Sequence, residues 1–288
     1  MAGKAVIITG AAQGLGAAAA IMIAKLGARG IVVCDRNESG AKGVAAELEA
    51  LGCTAIAVRC EAERPDEITA CVAQAEKSFG TIEGLVNCAG DTSRGDLWNT
   101  DASEWDRQFA INLRSHFLFT KAVAALMVAQ GIRGSIVNIA SVQAYGGLPF
   151  CMAYAVAKAG LVALTKNNAA ELGQHGIKVN AINVGHCATD NEDRLQRLQA
   201  GPNWLAAADA KSDFGRISRP EDIAHGIVYL LSDLSFATGS ELQLHPETIH
   251  GMLPWRTHAP PVPETGPPTL ISTANATVRG GVAKKKRG

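Results

Sequence analysis

The chain has 288 residues, 47% apolar and 19% charged, enough apolar side chain to bury the core of one large domain or two small ones, which excludes disorder for most of its length. Its 27 bases balance its 27 acids, but Arg256, Arg279, Lys284, Lys285, Lys286 and Arg287 stand beside a single acid, Glu264, in the last 35 residues. The body before them is mildly acidic, which excludes a basic nucleic-acid-binding footprint.

Short β-branched runs alternate with longer helical patterns. Strands are predicted at 5–9, 30–34 and 54–58, with helices over 14–26, 39–51 and 65–78 between and after them. The rhythm continues with a strand at 84–87, a helix over 103–129, a strand at 135–139, a helix over 152–173 and a strand at 177–181. This order predicts an α/β domain in which a parallel sheet carries helices on both faces. Residues 190–212 read as a helical excursion over the sheet edge. One domain is expected over 1–252, followed over 253–288 by a proline-rich, basic, flexible tail that cannot bury enough apolar surface to fold alone.

Seven cysteines, at 34, 53, 60, 71, 88, 151 and 187, form no C-x-x-C and read as buried free thiols of a reducing compartment. No apolar run approaches the ~20 residues that span a bilayer. Gly10, Gln13, Gly14 and Gly16 interrupt any signal-peptide core, so a soluble, cytoplasmic protein is expected, with no membrane partner. The seven histidines lack mutual spacing for zinc, and no metal is expected.

The chemistry begins after the first strand, at Thr9-Gly10-Ala11-Ala12-Gln13-Gly14-Leu15-Gly16. Glycines there permit a tight turn and let the start of the helix approach an anion, and the helix N-terminus can hold a pyrophosphate through free N–H groups and its dipole. Asp35 lies 19 residues past Gly16 at the end of the second strand, where an acid can hold a ribose hydroxyl pair, with Arg36 beside it. Asn87-Cys88-Ala89-Gly90 brings small residues to the same sheet edge.

Tyr154 and Lys158 are four apart and share a helix face; Ser141 ends the strand before, and Asn112 lies in the helix before that. A tyrosine is a poor base at its ordinary pKa near ~10, and bringing it to neutrality takes about 3 units, or roughly 4 kcal/mol. An ammonium at Lys158 and an oxidised nicotinamide can together supply that. Ser141 then hydrogen-bonds a substrate oxygen, and Asn112 holds a water through which the proton leaves. Gln143 and Tyr145 after Ser141, His186, and Arg94 beyond the Asn-Ala-Gly turn are expected to face the substrate.

As an ordered set these motifs, with Asn180, a Gly185…Thr189 turn and Arg219-Pro220-Glu221-Asp222-Ile223-Ala224, resemble the short-chain dehydrogenase/reductase family of Tyr-x-x-x-Lys type over about residues 3–244. The resemblance implies a Rossmann-like doubly wound sheet, NAD(P)-dependent oxidation of a carbinol or its reverse, and a homotetramer built partly through the helices of Asn112 and Tyr154. It places Asn112, Ser141, Tyr154 and Lys158 as the catalytic set, and Thr189 on the nicotinamide carboxamide. Gly10, Gln13, Gly14, Leu15, Gly16, Asp35, Arg36, Asn87, Ala89 and Gly90 join Tyr154 and Lys158 around the cofactor. Asp35 favours NAD, and residues 185–194 are similar to those of bacterial sugar- and polyol-oxidising members. A carbonyl or acyl-carrier ketoacyl reductase and a non-catalytic NAD-binding sensor are the alternatives; enoyl reductases separate their Tyr and Lys by more than four residues. The chain departs from the family pattern at Val184-Gly185, where Pro-Gly is usual, at Cys60-Glu61, where an Asp commonly meets adenine, and at Gln243-Leu244-His245-Pro246-Glu247, where an Asp-Gly-Gly turn is usual.

Overall fold

A computed structural model describes residues 1–245; the tail expected over 253–288 lies outside the described residues. Seven parallel strands form one sheet in the order β3-β2-β1-β4-β5-β6-β7, where β1 is Ala5–Thr9, β2 Gly30–Asp35, β3 Thr54–Arg59, β4 Gly84–Asn87, β5 Ser135–Ser141, β6 Lys178–Val184 and β7 Glu241–Leu244. Every residue of β1, β4 and β5 is buried, as expected of strands covered on both faces.

Alternate side chains feed two cores. Val6, Ile8, Val33, Val86 and Ile182 pack with Ile23 of α1 (Gly14–Lys25), Leu48 of α2 (Glu38–Ala50) and Ile227 of α9 (Pro220–Leu231). On the other face Ile7, Val32, Leu85 and Ile136 meet Ile68 of α3 (Pro65–Phe79) and Phe119, Val123 and Met127 of α5 (Ser115–Ala129). The chain runs outward from β1 to β3, then crosses back to β4 on the far side of β1. At that reversal the carboxyl ends of β1 and β4 part and leave a crevice, the usual ligand position in an open α/β sheet.

Three sequence expectations are refined. The helix expected over 103–129 is α4 (Ala102–Phe109) and α5 joined by a π turn, Ala110–Arg114, that contains Asn112. Strands β5 and β6 run on to Ser141 and Val184. The excursion expected over 190–212 is two helices, α7 (Asp190–Ala200) and α8 (Trp204–Lys211), broken at Gly201, whose φ of 88° and following proline end the first.

Candidate active site

The turn after β1 is built to approach an anion. Gly10 has φ 65°, and a Cβ there would lie 2.8 Å from Ala89 Cα; at Gly16 a Cβ would run into the Gly10 carbonyl. Thr9 Oγ1 accepts the N–H groups of Cys88 and Ala89, each at 3.0 Å, and so staples the β4 turn to this loop. The first turn of α1 has no side-chain cap and no acid, which leaves its N–H groups and positive dipole end facing the crevice. Asp35 is held at the adjoining edge, Oδ2 accepting from the Ala12 N–H at 3.0 Å and Oδ1 from the Asn37 N–H at 2.9 Å. Gln13, Leu15, Arg36, Cys60 and Glu61 complete this end of a cleft of about 560 Å3, inside the ~300–1,000 Å3 range of small-molecule sites. The residues therefore fit a dinucleotide: a glycine cradle, an uncapped helix start and an acid beyond them.

The opposite end of the same cleft holds Ser141, Tyr154 and Lys158, with Ala89 and Gly90 between. The Ser141 hydroxyl donates to the Val184 carbonyl at 3.4 Å and accepts the Gln143 N–H at 3.1 Å. Helix α6 (Met152–Leu172) presents Tyr154 and Lys158 on one face, the ammonium 5.7 Å from the phenol ring centroid. Lys158 Nζ donates to the Ile139 carbonyl at 2.7 Å, and burial brings its pKa down to about 8. Burial pushes Tyr154 up to about 12, against the pull of the Ser141 hydrogen bond and the positive charge of Arg94. In the free protein Tyr154 is thus a proton carrier, and Lys158 is an ammonium at neutral pH that deprotonates just above it. The thiol of Cys88, also in the cleft, is pushed up to about 12 by burial and is no nucleophile.

Thr189, at the start of α7, caps that helix by accepting the Glu192 N–H at 3.2 Å and lies over Gly14, its Cβ 3.6 Å from where a glycine-loop Cβ would stand. His186, Gln143 and Arg94 line the cleft beside Tyr154. The His186 ring pairs with Glu192 through Nε2 at 3.1 Å; burial works against the Glu192 charge, but bonds from His186 and Gln196 hold its carboxyl below the usual range.

Three expected residues do not reach the cleft with their side chains. The Asn87 amide is buried and donates to Asn138 Oδ1 at 2.8 Å and Thr120 Oγ1 at 3.1 Å, tying β4 to β5 and α5. Asn112 is fully buried: its Oδ1 accepts the Asp91 N–H at 3.0 Å, and its Nδ2 donates to the Asp91 carbonyl at 3.0 Å and Gln108 Oε1 at 2.7 Å. No donor of that side chain is left for a water. Tyr145 turns to the β7 edge, where its hydroxyl donates to Glu241 at 2.9 Å and accepts from Asn183 and Gln243.

Sequence reasoning missed the residues that hold these in place. Arg107 pairs with Asp91 at 3.0 Å and with Glu104 at 2.8 Å, and Gln108 Nε2 also reaches Asp91 at 3.1 Å. Burial opposes the Asp91 charge, yet Arg107 and Ser93 hold its carboxyl far below the usual range. The only signal available was spacing: Asp91 directly follows Asn87-Cys-Ala-Gly90, and Gln108 is one turn before Asn112.

A family model described as enoyl-(acyl carrier protein) reductase matches residues 10–245. A 2-(S)-hydroxypropyl-CoM dehydrogenase of Xanthobacter autotrophicus is 35% identical over 239 residues, covering 82% of this chain and 93% of the relative. The chain belongs to the short-chain dehydrogenase/reductase family. An L-rhamnose 1-dehydrogenase (NAD(P)(+)) of a Sphingomonas species is also 35% identical, over 83% of this chain and 94% of its own. Among solved structures, an NAD+-bound xylitol dehydrogenase superposes with TM-score 0.79 at 27% identity, covering 85% of this chain and 99% of that one. A Mycobacterium marinum short-chain type dehydrogenase/reductase does so with TM-score 0.77 at 31% identity, covering 84% and 94%. A further Xanthobacter autotrophicus relative, 37% identical over 73% of this chain and 90% of its own, is named an inactive 2-(S)-hydroxypropyl-CoM dehydrogenase 2.

Proposed function

We propose that this protein is an NAD-dependent oxidoreductase that moves hydride between a secondary alcohol, most simply a sugar or polyol, and nicotinamide. The observation that carries the reading is one cleft with Ser141, Tyr154 and Lys158 at one end and an uncapped, glycine-built helix start with Asp35 at the other. The relatives named for rhamnose and xylitol point the same way. NAD, held by the glycine turn, the start of α1 and Asp35, would supply the hydride acceptor and a positive charge in this cleft.

Ser141 holds the substrate oxygen; Tyr154, as phenolate, takes the hydroxyl proton while the carbinol hydrogen leaves as hydride. With a pKa of about 12 before the cofactor arrives, Tyr154 needs added positive charge to act as a base near neutrality; Arg94 already pulls it down, and the Lys158 ammonium, 5.7 Å from its ring centroid, is placed to add to that. Run backwards, the protonated phenol donates to a carbonyl, so the same groups serve as a carbonyl reductase. The four-residue step from Tyr154 to Lys158 argues against reduction of an enoyl double bond. Because the Asn112 side chain is spent on Asp91 and Gln108, proton exit falls to the backbone of the widened turn rather than to its amide. We read the protein as cytoplasmic and tetrameric; exposed Phe117 on α5 and Val156 on α6 offer apolar contact area on the helices the family pairs.

The test is Tyr154→Phe, which deletes the proton carrier and little packing. NADH binding is expected to stay within a few-fold while turnover falls by at least ~10²–10⁴; turnover near the parent's would remove Tyr154 from the mechanism.

A further inference from the structure

Arg94 is mounted more rigidly than a rim arginine needs to be. The segment before it is pinned by Asp91, which Arg107, Gln108 and Asn112 all hold. The segment after it is latched to the start of α6: the Gly95 N–H donates to the Phe150 carbonyl at 2.9 Å, and the Met152 N–H to the Gly95 carbonyl at 3.2 Å. Between these two anchors the guanidinium lies 4.9 Å from the Phe150 ring centroid, with Nη1 3.0 Å from Cys151 Sγ. Cys151 is one helical turn before Tyr154, so the charge sits beside the reacting phenol, in the wall of the cleft.

Its donors are barely used. A guanidinium carries five N–H donors, and a thiol sulfur is a weak acceptor for one of them. Among the described residues no carboxylate forms an ion pair with Arg94, whereas Arg107, on α4, is bound by both Asp91 and Glu104. The nearby Glu192 is engaged by His186 and Gln196. The Arg94 guanidinium, exposed to solvent in the cleft wall and within reach of the Glu192 charge without a hydrogen bond to it, keeps its remaining donors for a planar carboxylate in two parallel hydrogen bonds.

From this we infer that the alcohol substrate carries a carboxylate, bound by Arg94, while its hydroxyl meets Ser141 and Tyr154; the substrate class narrows from polyols at large to hydroxy acids, sugar acids included. The inference rests on the alcohol-oxidoreductase reading above. Gln143 and His186, on the cleft wall near Tyr154, are the groups that remain to meet further hydroxyls of such a molecule.

The experiment measures binding to the enzyme–NADH complex, where an alcohol forms a dead-end complex and no chemistry intervenes. NADH fluorescence is titrated with 2-hydroxypropanoate, 3-hydroxybutanoate and 4-hydroxypentanoate, each against its amide, so that three spans between hydroxyl and carboxylate are sampled. In the parent protein at least one acid should bind about tenfold or more tighter than its amide, the scale of a charge-assisted pair. Arg94→Gln should bring that ratio near one, and Arg94→Lys should keep part of it. Acid-to-amide ratios near one at all three spans in the parent, or a preference that survives Arg94→Gln, overturn the carboxylate assignment. Failure of the parent to bind NADH at all overturns the underlying cofactor reading instead, and the inference with it.

Discussion

Lys158 is held where folding disfavours it. The residue is 3% exposed, its ammonium has a single carbonyl partner, and burial brings it down to about 8 from 10.5. Between those two values the unfolded chain binds the extra proton, so this residue's contribution to stability improves as pH rises through the window and is at its worst below pH 8. The cost there is about 3 kcal/mol, at roughly 1.4 kcal/mol per unit. Lys158→Met should therefore raise the Tm at pH 7 while abolishing turnover, with the gain shrinking toward pH 10. Thermal melts across that range check it, and an equal loss of Tm at every pH would contradict it. Asp35 is the second residue with a sharp consequence. A 2′-phosphate about 4 Å from its carboxylate meets a repulsion of roughly 4 kcal/mol at an effective dielectric near 20, a preference on the order of 10³ for NAD over NADP. Asp35→Ser should weaken NAD, since it also releases the Ala12 and Asn37 N–H groups, and should leave Arg36 free to take NADP. The ratio of kcat/KM for the two cofactors in both proteins is the readout, and a parent ratio at or below one would contradict the assignment. Residue types and spacings were legible at both places because Tyr154, Lys158, Asp35 and the glycines act through positions fixed by local helix and strand geometry.

At the scale of elements, spacing alone was not enough. Asn87 and Asn112 stand at the expected places in the chain, yet both side chains point into the protein, because a strand end or a helix turn fixes where a residue lies but not which polar group it offers to the crevice. Tyr145 was misread for a related reason: the short 3₁₀ turn Val142–Tyr145 after Ser141 swings it toward β7, whose Glu241 and Gln243 lie almost a hundred residues further on. The Asp91–Arg107–Gln108 clamp joins a loop to a helix across long range, and no periodicity announces such contacts. Gln108 is 1% exposed and gives Asn112 its shortest hydrogen bond. Gln108→Leu should leave one Asn112 amide N–H without a partner, at a cost of about 1–3 kcal/mol, while Asp91 Oδ1 keeps its bonds from Ser93. A fall in Tm of several degrees is expected, together with a lower kcat/KM, since the loop that carries Asp91 and Arg94 loosens. An unchanged Tm would show that the clamp is redundant.

Over the whole molecule the alternation of β-branched runs with helical patterns carried six of the seven strands, since a parallel strand buried on two faces has little freedom to be anything else, whereas the half-buried edge strand β7 and the helix α9 before it were not read from that pattern. The excursion over 190–212 was legible as helical but not as two helices, because the break at Gly201 and contacts such as Trp204 Nε1 donating to Asp193 at 2.7 Å order it. Among the described residues the fold places a crevice at the sheet's reversal point, with the glycine turn and Asp35 at one end and Ser141, Tyr154 and Lys158 at the other. The central claim, that this crevice oxidises an alcohol with NAD, is tested most directly by following NADH formation at alkaline pH over a panel of sugars, polyols, hydroxy acids and plain secondary alcohols. At least one polar secondary alcohol should give steady NADH production that prefers NAD to NADP and disappears in Tyr154→Phe. Tight NADH binding with no turnover of any alcohol in the panel, or turnover that persists without the Tyr154 hydroxyl, would contradict the account.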